Sequence, residues 1–265
     1  MKAILSALAL MVAGLLAGLI GLLVLRGAGG LTLAFLFGLP ARGGRDGGIL
    51  PVLISTGWLV GVALLLALPL GVGAALYLQE YARDGLLVRA MRTLMEALAG
   101  VPSIIFGLFG FSLFVKHLGW GWSLASGSAT LALMLLPTVI RTAEEALAAV
   151  PGELREGAAA LGATRWEATR RVVLKEAAPG VLTGAMLALG RAIGETAALL
   201  LTAGSGMGMP ISPLDSGRSL SVHLYILATE GLSEGRAYTT ALVLMLAVLA
   251  VNLAANLVLE RWRRV

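Results

Sequence analysis

Apolar residues run along this chain in long blocks, and short charged segments separate the blocks. A helix crossing ~30 Å of hydrocarbon needs about 20 mostly apolar residues. Six stretches qualify: 3–25, 49–79, 94–115 with Glu96 at its edge, 121–140 continuing past Arg141 toward 150, 177–203 interrupted by Arg191 and Glu195, and 237–259. The pattern therefore predicts an all-α integral membrane protein with six transmembrane helices. The patch LTLAFLFGLP at 31–40 is too short to cross and is expected at the interface. The first run, about 23 residues behind Lys2, exceeds the 7–15 of a signal-peptide core and reads as an uncleaved anchor. Pro69, Pro102 and Pro137 fall inside spans and mark kinks or breaks. Gly71, Gly73, Gly107 and Gly110 are suited to close helix contact.

Composition strengthens this picture. The 265 residues are 58% hydrophobic and 13% charged, whereas a soluble domain carries about a quarter charged residues. Too little polar side chain remains to cover a water-exposed surface. There are no cysteines, which excludes disulfides, thiolate metal sites and thiol catalysis. The net charge of +5 is read as basic loops on one membrane side, not as a nucleic-acid surface. With the N-terminus in the cytoplasm, thirteen Lys and Arg fall inside, from Lys2 through Arg83, Arg141 and Arg155 to Arg264. Six fall outside, and Arg191 lies within a span. The positive-inside rule thus places both termini in the cytoplasm. Three regions are expected: an anchor with a Gly-rich external loop at 1–46, a core at 47–260 with a cytoplasmic loop at 151–178, and a basic tail at 261–265.

That central loop is unusual for so apolar a chain. Pro151 and Gly152 stop one helix, and ELREGAAALGA then reads as a short helix with Glu153 and Glu156 at its positive N-terminal end. Ala158, Ala159, Ala160 and Leu161 give it a small-residue face, and Gly162 ends it. TRWEATRRVVLKEAA resumes as an amphipathic helix with Trp166 beside Arg165, Arg170, Arg171 and Lys175, suited to the headgroup region. Pro179 and Gly180 are expected to turn the chain into the fifth span. A helix resting on lipid would carry bulky apolar residues where this one has Ala-Ala-Ala-Leu-Gly. The small face favours a soluble partner.

These residues resemble a known family. Glu156, small residues after it, Gly162 six positions on and Val172 ten further look like the cytoplasmic coupling loop of ABC importer permeases. Gly157 stands where that motif has its first Ala, and Lys175 where it has a Pro. The patches at 47–82, LAGVPSIIFGLFG (98–110), LPTVIRTAEEALAAVP (136–151) and GRAIGETAALLLTAG (190–204) are similar to phosphate-specific permeases, PstA-like more than PstC-like. The resemblance implies a type I ABC importer permease fold in a bacterial or archaeal cell membrane. It implies no enzyme activity and no cofactor on this chain, with ATP and Mg bound by two copies of a PstB-like ATPase. A PstC-like permease and a PstS-like phosphate-binding protein would complete the system. The ATPase would grip Glu153, Glu156, Gly157, Ala158, Ala160, Leu161 and Gly162. The other readings are a permease for another oxyanion or small polar nutrient, and a structural or regulatory membrane protein that transports nothing.

The charges inside the spans are the candidate site. Arg191 lies about 12 residues, or ~18 Å, into the fifth span, near the midplane. Inserting it there costs ~2.5–3.5 kcal/mol, so it is expected to face the bundle interior or a water-filled path. Glu195, four residues on, is expected on the same face and able to neutralise it. Arg141 with Glu144 and Glu145 repeats the arrangement nearer the cytoplasm. One reading makes these ion pairs that lock helices together. The other makes Arg191, Glu195 and Arg141 the lining of an oxyanion path, since guanidinium donates parallel hydrogen bonds to two oxygens. The resemblance favours the second. GSGMG at 204–208 lacks the Lys-Ser/Thr of a P-loop. Ser205, His117 and His223 are not placed as a hydrolase set, and two histidines without clustered carboxylates make no metal site.

Overall fold

With no water in hydrocarbon to satisfy backbone groups, apolar segments must close their hydrogen bonds internally, and most of this chain is helix. The structure is a computed structural model and describes residues 2–83 and 85–263. The expected basic tail lies partly outside them.

The elements in chain order are α1 (Lys2–Gly27), α2 (Leu33–Phe37), a two-residue hairpin of β1 (Pro40–Ala41) and β2 (Asp46–Gly47), and α3 (Leu50–Leu76). Then come α4 (Leu86–Ala99), α5 (Ser103–Gly110), α6 (Leu124–Ala148), α7 (Gly152–Ala160) and α8 (Arg165–Ala168). The chain ends in α9 (Leu174–Gly194), α10 (Ala197–Thr202), α11 (Leu220–Thr229) and α12 (Glu234–Arg263). Wide π turns extend α3 over Tyr77–Tyr81 and α5 over Phe111–His117, and a third, Thr169–Val173, fuses α8 to α9. Among the described residues five helices are long and apolar enough to cross a membrane: Ile4–Gly30, Leu50–Tyr81, Leu124–Ala148, Arg165–Gly194 and Glu234–Leu257. A bent pair, Leu86–Ala99 with Ser103–His117, brings the number to six when it is counted as one broken span.

Two expected spans are corrected. The third is not a single helix over 94–115: its halves meet at 102°. Gly100 and Val101 end α4, and Pro102, with φ −57° and ψ 138°, starts α5 in a new direction. The fifth does not begin at 177, and Pro179 does not turn the chain. Helix runs unbroken from Arg165 to Gly194, with Pro179 inside it. The basic, Trp-bearing segment is therefore the root of a span. The span then stops at Gly194, and residues 197–202 form the separate α10.

α6 is the central helix, with Leu131, Met134, Leu135, Val139, Ala143 and Leu147 all buried. It packs on α3 and α9. One cluster joins Leu59, Ala63 and Ala67 of α3 to Leu131 and Leu135 of α6 and Ala188 and Ala192 of α9. A second sits at the end of the bundle carrying residues 148–165, called the loop end below, and joins Leu78, Ile140, Leu147, Val150 and Val173. A third, at the far end, seats Phe35 of α2 on Ile49, Val52, Leu220 and Val243. By contrast, the α1 side chains stay exposed for most of its length. It meets α12 near its own end, where Gly27 lies against Tyr238 and Arg26 pairs with Glu234 at 2.9 Å.

Small residues let the spans approach. A Cβ on Gly107 would lie 2.7 Å from Cα of Ala198, so α5 packs on the backbone of α10. Gly107→Leu should force these helices apart and cost about 1–3 kcal/mol or more. Thermal unfolding of the detergent-solubilised chain would show it as a lowered midpoint, and an unchanged midpoint would contradict the close packing.

Candidate functional site

The sequence RAIGET places its charges on a helix that cannot continue. Gly194 weakens the last turn, and Glu195 takes φ −70° and ψ 127°, an extended conformation. Its carboxylate Oε1 accepts from the N–H of Ala198 at 3.2 Å, satisfying an open donor of the next helix. Its carbonyl accepts from the Ser221 hydroxyl. Glu195 is only 8% exposed.

This break overturns the expected Arg191–Glu195 pair. Neighbours at i and i+4 meet only on a continuous helix, and this one ends between them. Among the described residues no carboxylate lies within 4.0 Å of Arg191. Arg191 is half-buried, four residues beyond the exposed Leu187 and three before the exposed Gly194. It thus belongs to the stripe of α9 that the rest of this chain leaves open. It also sits in the last turn, where free carbonyls gather partial negative charge that favours a cation.

Arg141 is not beside it. Gly184 of α9 lies against Thr142 of α6, so Arg141 is level with about residue 184, seven residues or about 10 Å closer to the loop end than Arg191. The same antiparallel register sets Arg191 opposite the middle of α6, in keeping with a midplane position. Arg141 pairs with Glu145 at 3.1 Å, and both are well exposed. Arg92 of α4 pairs with Glu144 at 3.2 Å. With Gln79, Met95, Glu96 and Ala148 these groups line a pocket of about 270 Å³. Sequence reading assigned no role to Arg92; its partner is 52 positions away, and only the fold of α4 against α6 brings them together.

The central loop forms as a compact unit. α7 ends with the N–H of Ala163 donating to Ala158 O at 3.1 Å and that of Gly162 to Ala159 O at 2.9 Å. Gly162 holds φ +81°, the left-handed cap position that glycine fills without a Cβ penalty. Thr164 and Glu167 then close a reciprocal capping box that starts α8. Glu153, Glu156, Gly157, Ala160, Leu161 and Gly162 are exposed. Ala158 is not: at 9% exposure it turns into the protein, so it is removed from the expected partner-facing set. Leu161 is 90% exposed and borders a groove of about 550 Å³ with Leu154, Gly157, Ala163, Ala168 and Val172.

At the far end lies a polar cluster that sequence reading missed. Arg218, 7% exposed, donates from Nε to Ser205 O at 3.1 Å and places Nη1 3.4 Å from Nδ1 of His223. Burial and the Arg218 charge push the His223 imidazole down to about 4, so it is neutral at physiological pH. Ser205 is exposed and has no imidazole bonded to it. Among the described residues no group of three or more His, Cys, Asp and Glu is arranged to hold a metal.

With this geometry in place, residues 67–264 match the family described as binding-protein-dependent transport system inner membrane component. The chain belongs to this family. It is 33% identical over 264 residues to the probable ABC transporter permease protein YqgI of Bacillus subtilis (strain 168), covering 94% of this chain and 90% of that relative. It is 38% identical over 215 residues to the phosphate transport system permease protein PstA 1 of Mycobacterium tuberculosis (strain CDC 1551 / Oshkosh), covering 80% and 70%. The PstA of Haemophilus influenzae matches at 37%, covering 80% and 76%. Among solved structures, a bacterial alginate ABC transporter in complex with an alginate pentasaccharide-bound periplasmic protein superposes with TM-score 0.72 at 17% identity, covering 98% and 93%. The inward-facing MetNI methionine ABC transporter superposes with TM-score 0.67 at 20% identity, covering 81% and 95%. Those two likenesses show the fold, that of a type I ABC importer permease.

As an inner-membrane component of such a transport system, the chain is a multi-pass membrane protein and a transporter subunit. The open Arg191 offers parallel N–H donors that suit a tetrahedral oxyanion or a carboxylate. The loop offers a small, exposed apolar surface at one end of the bundle.

Proposed function

We propose that this inner-membrane component is the PstA-like permease subunit of an ATP-driven phosphate importer. It supplies half of the path, and a PstC-like subunit supplies the other half. A phosphate-binding protein delivers at the far end, which is extracytoplasmic. Two copies of an ATPase engage residues 153–163 in the cytoplasm, where both termini also lie. The excess of Lys and Arg at the loop end supports that orientation, and the PstA relatives support the substrate.

One observation carries the reading of the path: Arg191, at mid-depth on an open helix face, has no acidic partner within salt-bridge reach among the described residues. A charge costing ~2.5–3.5 kcal/mol to insert is retained there to meet an anion. Arg191 receives phosphate, Glu195 shapes the break beside it, and Arg141 serves the ion nearer the cytoplasm, where Glu145 competes for it. That competition keeps binding weak enough for release. Closure of the ATPases moves α7 and rocks the spans, exposing the path first to one side and then to the other.

Uptake of labelled phosphate at limiting concentration tests the substrate. In cells whose only phosphate importer contains this chain, excess arsenate should compete and excess sulfate should not. Equal competition by sulfate would point instead to a permease for another oxyanion.

A further inference from the structure

The coupling helix α7 is held to the bundle by almost no apolar surface: Ala158 is its one buried residue. Its firm attachment is a single guanidinium. Arg155 Nη2 lies 2.8 Å from Glu80 Oε1, and Nε lies 3.3 Å and 3.4 Å from the two carboxylate oxygens. The same guanidinium donates from Nη1 to Val150 O at 2.7 Å and from Nη2 to Leu147 O at 2.9 Å.

These acceptors belong to different elements. Glu80 lies in the wide turn ending α3, while Leu147 and Val150 belong to the last turn of α6 and its exit. Val150 O and Leu147 O lie where α6 ends, and Leu147 O also accepts the Val150 N–H at 3.3 Å, so Arg155 adds to the cap of α6 while it grips α3. The side chain of Glu80 is 8% exposed and that of Arg155 28%. The four other ion pairs among the described residues each include a side chain at least 40% exposed. A surface pair holds geometry loosely. A guanidinium with acceptors on several sides in its plane has one orientation.

We propose that Arg155 and Glu80 are positioning residues that transmit coupling: they make α7, α3 and the end of α6 one rigid body, so that force applied to α7 reaches the spans. The joint touches neither ATP nor the transported ion. Arg165 stacks over the Tyr81 ring at 5.3 Å, next to Glu80 in sequence, and brings the start of α8 into the same joint. A pull on α7 therefore reaches α3 at its loop end and α6 at its C-terminus, the two helices with the most extensive shared packing. The backbone entry to α7 at Pro151–Gly152 does not have to carry it alone.

The inference rests on the transport reading, and its test separates the two. The complete complex is reconstituted in proteoliposomes, and labelled phosphate uptake per ATP hydrolysed is measured for the native chain, Arg155→Gln, Arg155→Lys and Glu80→Gln. The expected result is that ATPase subunits stay bound while uptake per ATP falls about tenfold in Arg155→Gln and less in the other two. A purely structural role would lower the yield of complex and leave the ratio unchanged, and an unchanged ratio in an assembled variant overturns the proposal. Should Arg155→Gln fail to assemble, the near-isosteric Glu80→Gln carries the same test. Absence of phosphate uptake by the native complex would count against the transport reading alone. For that case, spin labels at Gly152→Cys and Leu70→Cys report the joint directly. Their distance should stay fixed with and without ATP and broaden in Arg155→Gln; a distance that shifts with nucleotide in the native background overturns the rigid body.

Discussion

Arg191→Gln is expected to lower phosphate uptake about a hundredfold while leaving the amount of folded complex unchanged or higher. Two charge-assisted hydrogen bonds to an oxyanion contribute about 3 kcal/mol, and a loss of that size is about a hundredfold in rate. Stability should move the other way, because removing an unpaired guanidinium from mid-depth relieves its insertion cost of ~2.5–3.5 kcal/mol. That opposition of sign separates the two readings of this residue. If Arg191 locked helices together, its loss would reduce folded protein and leave the rate per complex intact. Arg191→Lys should fall between, since ammonium keeps the charge and loses the planar pair of donors. Initial uptake rates normalised to the complex present, with thermal unfolding alongside, measure both quantities.

The second large effect is expected at Leu161. It stands 90% exposed at the end of α7, beyond the C-terminus of α6 and away from the membrane-spanning helices. Burying a leucine side chain in a partner's groove stabilises the complex by about 1.5–3 kcal/mol. Leu161→Asp removes that and forces a charge into the same contact, so ATPase-subunit affinity should fall a hundredfold or more. Folding of the chain itself should be unaffected, because the side chain is almost wholly in solvent. Co-purification and titration of the ATPase subunit measure the loss; unchanged affinity would show that the partner grips elsewhere. Gly162 next to it is constrained differently, since any side chain there meets the φ of +81°.

Local chemistry explains what was legible in the sequence. The spans could be read from charge-free runs because hydrocarbon excludes charge at any register. The ends of α7 could be read because Pro151 and Gly162 act on their own backbone. What failed needed three dimensions. Arg191 and Glu195 look like neighbours on an unbroken helix, and only the extended Glu195 shows that the helix has stopped. Pro179 looks like a turn, yet the helix runs through it. Ala158 looks like Ala160, and packing alone decides which faces inward. Arg155 and Glu80 are 75 positions apart, so the pair exists only once α3 and α6 are set side by side. The roles proposed for coupling and path rest on residues set by such long-range placement.

The most direct measurement is ATP-dependent movement of labelled phosphate into proteoliposomes containing this chain, its permease partner, the ATPase and the binding protein. The account predicts accumulation inside that requires ATP and the binding protein and is lost with Arg191→Gln in an assembled complex. Accumulation that persists at the native rate in Arg191→Gln, or ATP hydrolysis with no phosphate movement by the native complex, would contradict it.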